Sequence, residues 1–292
     1  MMSILDEILA HKRIEVASSS QARPIDAVRA RALVRPPARS FAARLKAPPG
    51  GPARLIAEIK RKSPSAGTMA TITDPVDLAR TYVANGAVAI SVLTDARHFG
   101  GSLDDLSAVR AAVSVPVLRK DFLFTEYQVW EARAAGADAV LLIVAVLASP
   151  LGNPDLRELQ PAPGPADLNA ARDRLGQLMR IARKAGLEVL VEVRDEGEAS
   201  IALELKAPVV GINNRSLATF VTTLETTEDV ARTIQSTAGS LPVIVSESGL
   251  HDALAVARVR GSGVDAVLVG EALVRSGDPA AKVREMAGAG AA

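Results

Sequence analysis

Three observations in the amino-acid sequence predict an α/β fold, a (β/α)8 TIM barrel with an N-terminal helical extension. Eight short apolar runs, near Leu55, Val88, Val117, Ala139, Val189, Val209, Val243 and Ala266, read as buried strands of a parallel sheet. A join from helix end through glycine to apolar run recurs, as RAAGADAVLLIV at Gly136, RKAGLEVLVEV at Gly186 and RGSGVDAVLVG at Gly263. Polar residues collect at the C-terminal ends of the runs, the face on which such barrels carry their sites. The predicted organisation is a single domain over 1–292: residues 1–53 form a helical extension and linker, and 54–292 form the barrel, with an insertion at about 148–166.

In chain order, Ser3 and Asp6 make a capping pair, and Ile4, Leu5, Ile8 and Leu9 follow at helical spacing, which predicts an amphipathic helix through about Val16. A second helical stretch covers Ile25 to Leu33. Proline and glycine crowd the segment from Arg35 to Ala53 and predict an irregular extension that wraps back on the main body. In the first strand Ile56, Glu58 and Lys60 share one face, while Ala57 and Ile59 share the other. A carboxylate and an ammonium at the end of a buried strand are costly unless they are paired or bind something. Asp74-Pro75 supplies the cap and first turn of the next helix, and Gly86 ends it ahead of VAISVLT. Five prolines between Leu147 and Asp167 predict a long loop after the fourth strand, ill suited to helix, that is either a lid or a tolerated surface insertion.

Composition narrows the function classes. With 292 residues and 48% hydrophobic side chains, the chain can bury one large core. A formal net charge of +1 gives no general attraction to nucleic acid or anionic membrane. The absence of cysteine excludes disulfides and a cysteine nucleophile, and the separated His11, His98 and His251 argue against structural zinc, so no metal or cofactor is expected. Charges from Asp6 onward are unlike a signal peptide, and the longest apolar run, Ala139 to Ala148, is short of the roughly 20 residues that span a bilayer. A cytoplasmic location with no membrane partner is the expectation.

The candidate site follows from the strand ends. Glu58 and Lys60 end the first strand, Lys120 the third, Glu192 the fifth, Asn213 the sixth, and Glu247 and Ser248 the seventh. Singly, each reads as half-exposed packing. Barrel closure, however, brings them round one mouth, where mutual pairing or a ligand must account for them. SESGL and VGEAL place Gly249 and Gly270, with Glu271 beside it, at the starts of short helical turns whose free N–H groups can hold a phosphate. Lys62 and Ser63, after the first strand, can add a cation and a hydroxyl to the same anion, although a solvated loop is an equal reading for Lys62.

The segments IAEIKRKSPSAG, SVLTDARHFGGS, VLRKDF, LLIV, LVEVRDE, GINNR, SESG and VLVGEALVR resemble, in order and spacing, the indole-3-glycerol phosphate synthase family of the tryptophan pathway. ILDEILAHKRIEV resembles the extra helices which that family carries before its barrel. The resemblance implies a carboxy-lyase that converts 1-(2-carboxyphenylamino)-1-deoxyribulose 5-phosphate to indole-3-glycerol phosphate, carbon dioxide and water. It implies Lys120 as the acid near the substrate ketone, Lys60 and Asn213 as partners of the departing carboxylate, and Glu192 as the base, with Glu58 and Lys60 assisting. It further implies Glu247 and Ser248 at the sugar hydroxyls or orienting their neighbours, and Arg215 positioning a carboxylate. Phe99, Phe122 and Leu141 match the family's pocket for the anthranilate ring, with core filling as the other reading of each. How acid work divides between the two lysines stays open. Departures from the family pattern are Arg194 in place of a common histidine, the longer insertion, and a less acidic SLATFVTTLET segment.

Two other readings compete. A barrel like phosphoribosylanthranilate isomerase shares the phosphate loops but relies on a cysteine that this chain lacks. A non-catalytic phosphate-binding barrel would keep Gly249 and Gly270 with no need for Lys60, Lys120 and Glu192 together. A small phosphorylated substrate and a monomer or weak homodimer are expected.

Overall fold

The computed structural model describes residues 3–63, 67–69, 72, 74–155, 164, 166–216, 221–237 and 240–288. Eight parallel strands close on themselves: β1 (Arg54–Ile59), β2 (Ala87–Leu93), β3 (Val117–Lys120), β4 (Ala139–Ile143), β5 (Glu188–Val193), β6 (Val209–Asn213), β7 (Val243–Glu247) and β8 (Ala266–Val269). Each strand pairs with its sequence neighbours and β8 pairs with β1, as a TIM barrel requires. Three helices precede the barrel, α1 (Ile4–Ala22), α2 (Ile25–Leu33) and α3 (Phe41–Leu45). The remaining helices follow the strands in turn: α4 (Pro75–Ala84), α5 (Ala96–Phe99), α6 (Leu103–Ala112), α7 (Glu126–Ala135), α8 (Val144–Ala148), α9 (Leu168–Ala185), α10 (Glu196–Glu204), α11 (Glu225–Ser236), α12 (Ala253–Gly261), α13 (Glu271–Val274) and α14 (Pro279–Gly288).

Local chemistry explains these boundaries. Asp74, Ser102, Thr125, Asp167, Asp195 and Asp252 each accept a first-turn N–H of the helix they open. α7 and α9 end on Gly136 and Gly186 in the left-handed conformation, at φ +99° and +73°, which lets the chain turn directly into β4 and β5. Ser3 and Asp6 form the expected reciprocal capping box on α1. That helix runs to Ala22 rather than to about Val16, and part of the reason is tertiary: Tyr127 donates its hydroxyl to the Ser19 carbonyl at 2.9 Å in the last turns.

The linker expected to be irregular contains α3, where Phe41 and Leu45, four residues apart, are both fully buried. Three carboxylates at the N-terminal face of the barrel hold this linker down. Asp138 accepts Arg39 N at 2.8 Å and Val117 N at 2.9 Å, and pairs with Arg110 at 2.8 Å. Glu188 accepts Ala42 N at 2.6 Å and the Ser40 hydroxyl at 3.0 Å. Asp265 pairs with Lys46 at 3.1 Å and accepts Ile244 N at 3.1 Å. These acids stand two residues after Gly136, Gly186 and Gly263, so the repeated glycine join also carries the anchor for the extension.

α8 leads into the insertion after β4, which begins with a single 3-10 turn, Pro150–Gly152, for which Ser149 is the cap. Pro150 falls in the first turn, where its missing N–H costs nothing. Arg13 of α1 donates to Leu151 O at 3.0 Å and also holds the carbonyls of Asn153 and Asp155, while Arg174 of α9 holds Leu147 O at 2.7 Å and Ser149 O at 3.0 Å. Positions 156–163 and 165 lie outside the described residues. Among the described residues no helix is long and apolar enough to cross a membrane.

Asp138 is fully buried and serves three donors, so Asp138→Ala should lower unfolding free energy by about 3 kcal/mol in urea denaturation. Lys46→Ala, at a side chain 58% exposed, should cost under about 1 kcal/mol.

Candidate active site

The C-terminal strand ends enclose two adjoining cavities that share Glu58, Lys60, Lys120, Arg215 and Ser248. The first adds Ser63, Phe99, Phe122, Leu141, Glu192 and Asn213, and is the more apolar. The second adds Glu247, Gly249, Gly270 and Glu271. Fifteen of the sixteen residues singled out from sequence therefore line one continuous mouth. Lys62 is the exception: its ammonium donates to the Arg97 carbonyl at the end of α5 and lines neither cavity. Its neighbour Ser63 is buried and reaches the mouth.

Lys120 sits at the centre. Its Nζ lies 3.6 Å from Glu247, 3.7 Å from Glu192 and 3.9 Å from Glu58. Lys60 pairs with Glu58 at 2.9 Å. Burial works against charge on Lys120, but Glu192, Glu247 and Glu58 outweigh it and hold the ammonium proton more firmly than in an ordinary lysine. Burial likewise pushes the Glu58 carboxyl up, yet Lys60 and Lys120 win and keep it below its ordinary value. Glu247 goes the other way: burial, and then Glu192, push it up to about 8, which Lys120 offsets only in part. Glu58 is thus held in its ionised form, while Glu247 is pushed toward its neutral form.

The amide of Asn213 organises one wall. Its Nδ2 donates to Glu192 Oε1 at 2.9 Å, and its Oδ1 accepts the Ser248 hydroxyl at 2.9 Å and Arg215 N at 3.0 Å. Ser248 is a non-glycine residue at φ +69°, followed by Gly249 at φ +75°, so the chain turns sharply away from β7 at the cavity edge. Glu192 Oε2 and both Glu247 oxygens are buried without a hydrogen bond, and Glu192 Oε2 and Glu247 Oε2 face the Lys120 ammonium instead. The Glu271 side chain pairs with Arg215 at 3.6 Å and Arg275 at 3.2 Å, so any phosphate contact there falls to backbone N–H. Phe99 and Phe122 stand with ring centroids 6.0 Å apart, tilted by 37°, beside Leu141.

Two glycines make room for the carboxylates. A Cβ on Gly211 would meet Glu247 Oε1 at 2.2 Å, and one on Gly270 would meet Glu58 Oε1 at 2.4 Å. Gly270 is thus first a seat for Glu58. Sequence reasoning also missed that α1 forms a roof: Ile4, Leu5 and Ile8 line the first cavity. Their apolar periodicity was visible, but nothing local to them says which surface they cover. Among the described residues no cluster of three or more metal-ligating side chains occurs.

The family model for indole-3-glycerol phosphate synthase matches residues 5–162 and 168–286, and the break between the two stretches falls at the end of the proline-rich insertion. The chain is 46% identical to indole-3-glycerol phosphate synthase of Roseiflexus castenholzii, with 99% of each chain covered. It is 45% identical to that of a Nocardioides species, over 98% of this chain and 99% of the relative, and 43% identical to that of Rhodococcus jostii, over 99% and 97%. Solved structures share the fold at low identity. 3-Hexulose-6-phosphate synthase from Salmonella typhimurium superposes with a TM-score of 0.56 at 15% identity, over 80% of this chain and 96% of the other. Thiamine phosphate pyrophosphorylase from Pyrococcus furiosus does so with a TM-score of 0.53 at 18% identity, over 80% and 93%. The chain belongs to the indole-3-glycerol phosphate synthase family.

Proposed function

We propose that this mouth closes the indole ring of 1-(2-carboxyphenylamino)-1-deoxyribulose 5-phosphate, with loss of carbon dioxide and water, to yield indole-3-glycerol phosphate. The observation that carries the reading is the Lys120 ammonium, ringed by three carboxylates where an apolar cavity meets a polar one. Such a group can protonate a ketone oxygen as the aromatic carbon bonds to the carbonyl carbon, and can stabilise the charge developing there.

The other roles follow from position. Phe99, Phe122 and Leu141 receive the anthranilate ring, beneath Ile4, Leu5 and Ile8. Lys60 and the Asn213 amide hold the substrate carboxylate until it departs as carbon dioxide, and Arg215 stands beside them. The former ketone oxygen then leaves as water after taking a second proton, and Glu192 accepts the proton that restores aromaticity, with Glu58 fixing Lys60. Lys60 and Lys120 are the two donors for the two acid steps. The backbone at Gly249 and Gly270, with Glu271 N–H, takes the phosphate in the polar cavity, and the Ser63 hydroxyl meets it from the adjoining one. Glu247 and Ser248 face the sugar hydroxyls.

Under this reading the partner is one small phosphorylated molecule. The enzyme needs no metal or nucleotide, works in the cytoplasm and is a monomer or weak homodimer. A non-catalytic phosphate-binding barrel leaves the Lys120 ring of carboxylates without a purpose.

Purified chain mixed with substrate, without metal or nucleotide, should develop indole fluorescence; absence of turnover would sink the reading. Lys120→Ala should lower kcat by about 10²- to 10⁴-fold, and a loss confined to KM would refute its role. Gly270→Ala should lower kcat as well as raise KM for the phosphorylated substrate, because the new methyl displaces Glu58. A change in KM alone would mean that Gly270 serves the anion only.

A further inference from the structure

Lys12 belongs to the N-terminal extension and lines neither cavity, yet it is fully buried and holds three acids. Its Nζ lies 2.9 Å from Asp95, 3.0 Å from Asp121 and 2.9 Å from Glu15. Asp95 and Asp121 are themselves fully buried, whereas Glu15 is 35% exposed. Burying an ion triad of this kind gives little net stability, so its presence calls for another explanation.

The two aspartates sit at the roots of the loops that carry the aromatic wall and the central lysine. Asp121 follows Lys120 directly. Its Oδ1 accepts Phe122 N at 2.8 Å, and its Oδ2 accepts the Thr94 hydroxyl at 2.7 Å and pairs with Arg119 at 3.1 Å. Thr94 closes the loop by donating its own N–H to the Lys120 carbonyl at 3.1 Å. Asp95 caps the short helix that ends in Phe99, accepting His98 N at 2.7 Å, and its carbonyl accepts Gly101 N at 2.9 Å. One ammonium therefore fixes both loops, and so the relative placement of Phe99, Phe122 and Lys120. Without it, two buried carboxylates would face each other, with Arg119 beside Asp121 and, among the described residues, His98 Nδ1 at 3.3 Å beside Asp95.

We propose that Lys12 is a positioning residue for Lys120, acting through Asp121 and Asp95. The inference rests on the role given above to Lys120. α1 has other anchors, including buried Ile8, Leu9 and Val16, the Arg13 hold on Leu151 O, and the Tyr127 bond to Ser19 O, so loss of the ammonium leaves the helix docked.

The test is a double-mutant cycle on the full chain. Lys12→Met should lower kcat by about tenfold or more in the wild-type background while KM stays within about threefold, and should cost less than about twofold in a Lys120→Ala background. Lys12→Arg, which keeps the charge, should recover part of the loss. Equal fold losses in the two backgrounds, or an unchanged kcat for Lys12→Met, would overturn this inference alone. Wild-type kcat in Lys120→Ala would overturn the role of Lys120 and this inference with it. Should Lys12→Met fail to fold, Asp121→Asn, which removes the pairing charge but keeps its shape, carries the same comparison with the same outcomes.

Discussion

An ammonium ion enclosed by three carboxylates at the end of an apolar barrel is the constraint on which the rest of this structure depends. Lys120 with Glu58, Glu192 and Glu247 could not be buried singly. Together they divide the charge unevenly: Glu58 is held ionised by two lysines, while Glu247 is pushed toward its neutral form. Both acid and base groups thus stand within reach of one space.

Holding that cluster requires backbone as much as side chains. Gly211 and Gly270 leave the volume that Glu247 and Glu58 occupy, and the left-handed pair Ser248-Gly249 turns the chain so that the serine hydroxyl meets Asn213. These glycines are conformational or steric necessities of the carboxylates beside them. A phosphate role for Gly270 is compatible with that, but the nearer neighbour is Glu58.

The N-terminal extension is bound at both faces of the barrel by the same kind of chemistry. On the N-terminal face Asp138, Glu188 and Asp265 take backbone N–H groups and cations of the linker. On the C-terminal face Lys12 reverses the polarity and supplies the cation to Asp95 and Asp121. Between these ties α1 lays Ile4, Leu5 and Ile8 over the first cavity. The extension is thereby a wall of the site as well as a packed appendage.

What the sequence by itself determined was whatever depends on short range. Strand positions, the Ser3–Asp6 capping box, the Asp74 cap and the glycine joins follow from backbone preferences and side-chain periodicity, and all are found where the residues predict them. The parallel barrel then forces residues at strand ends into one ring, which is why Glu58, Lys120, Glu192, Asn213 and Glu247 could be grouped before any coordinates. Only the tertiary structure decided the rest. Lys62 and Ser63 are adjacent in sequence, yet one turns to the Arg97 carbonyl and the other into the mouth, a choice set by a loop some 35 residues away. The same holds for Lys12, whose two fully buried partners, Asp95 and Asp121, lie more than 80 positions further on. A lone lysine on an amphipathic helix reads as solvated until the fold brings two buried carboxylates to it, because pairing energy depends on distance in space and on burial, and neither is written in local sequence.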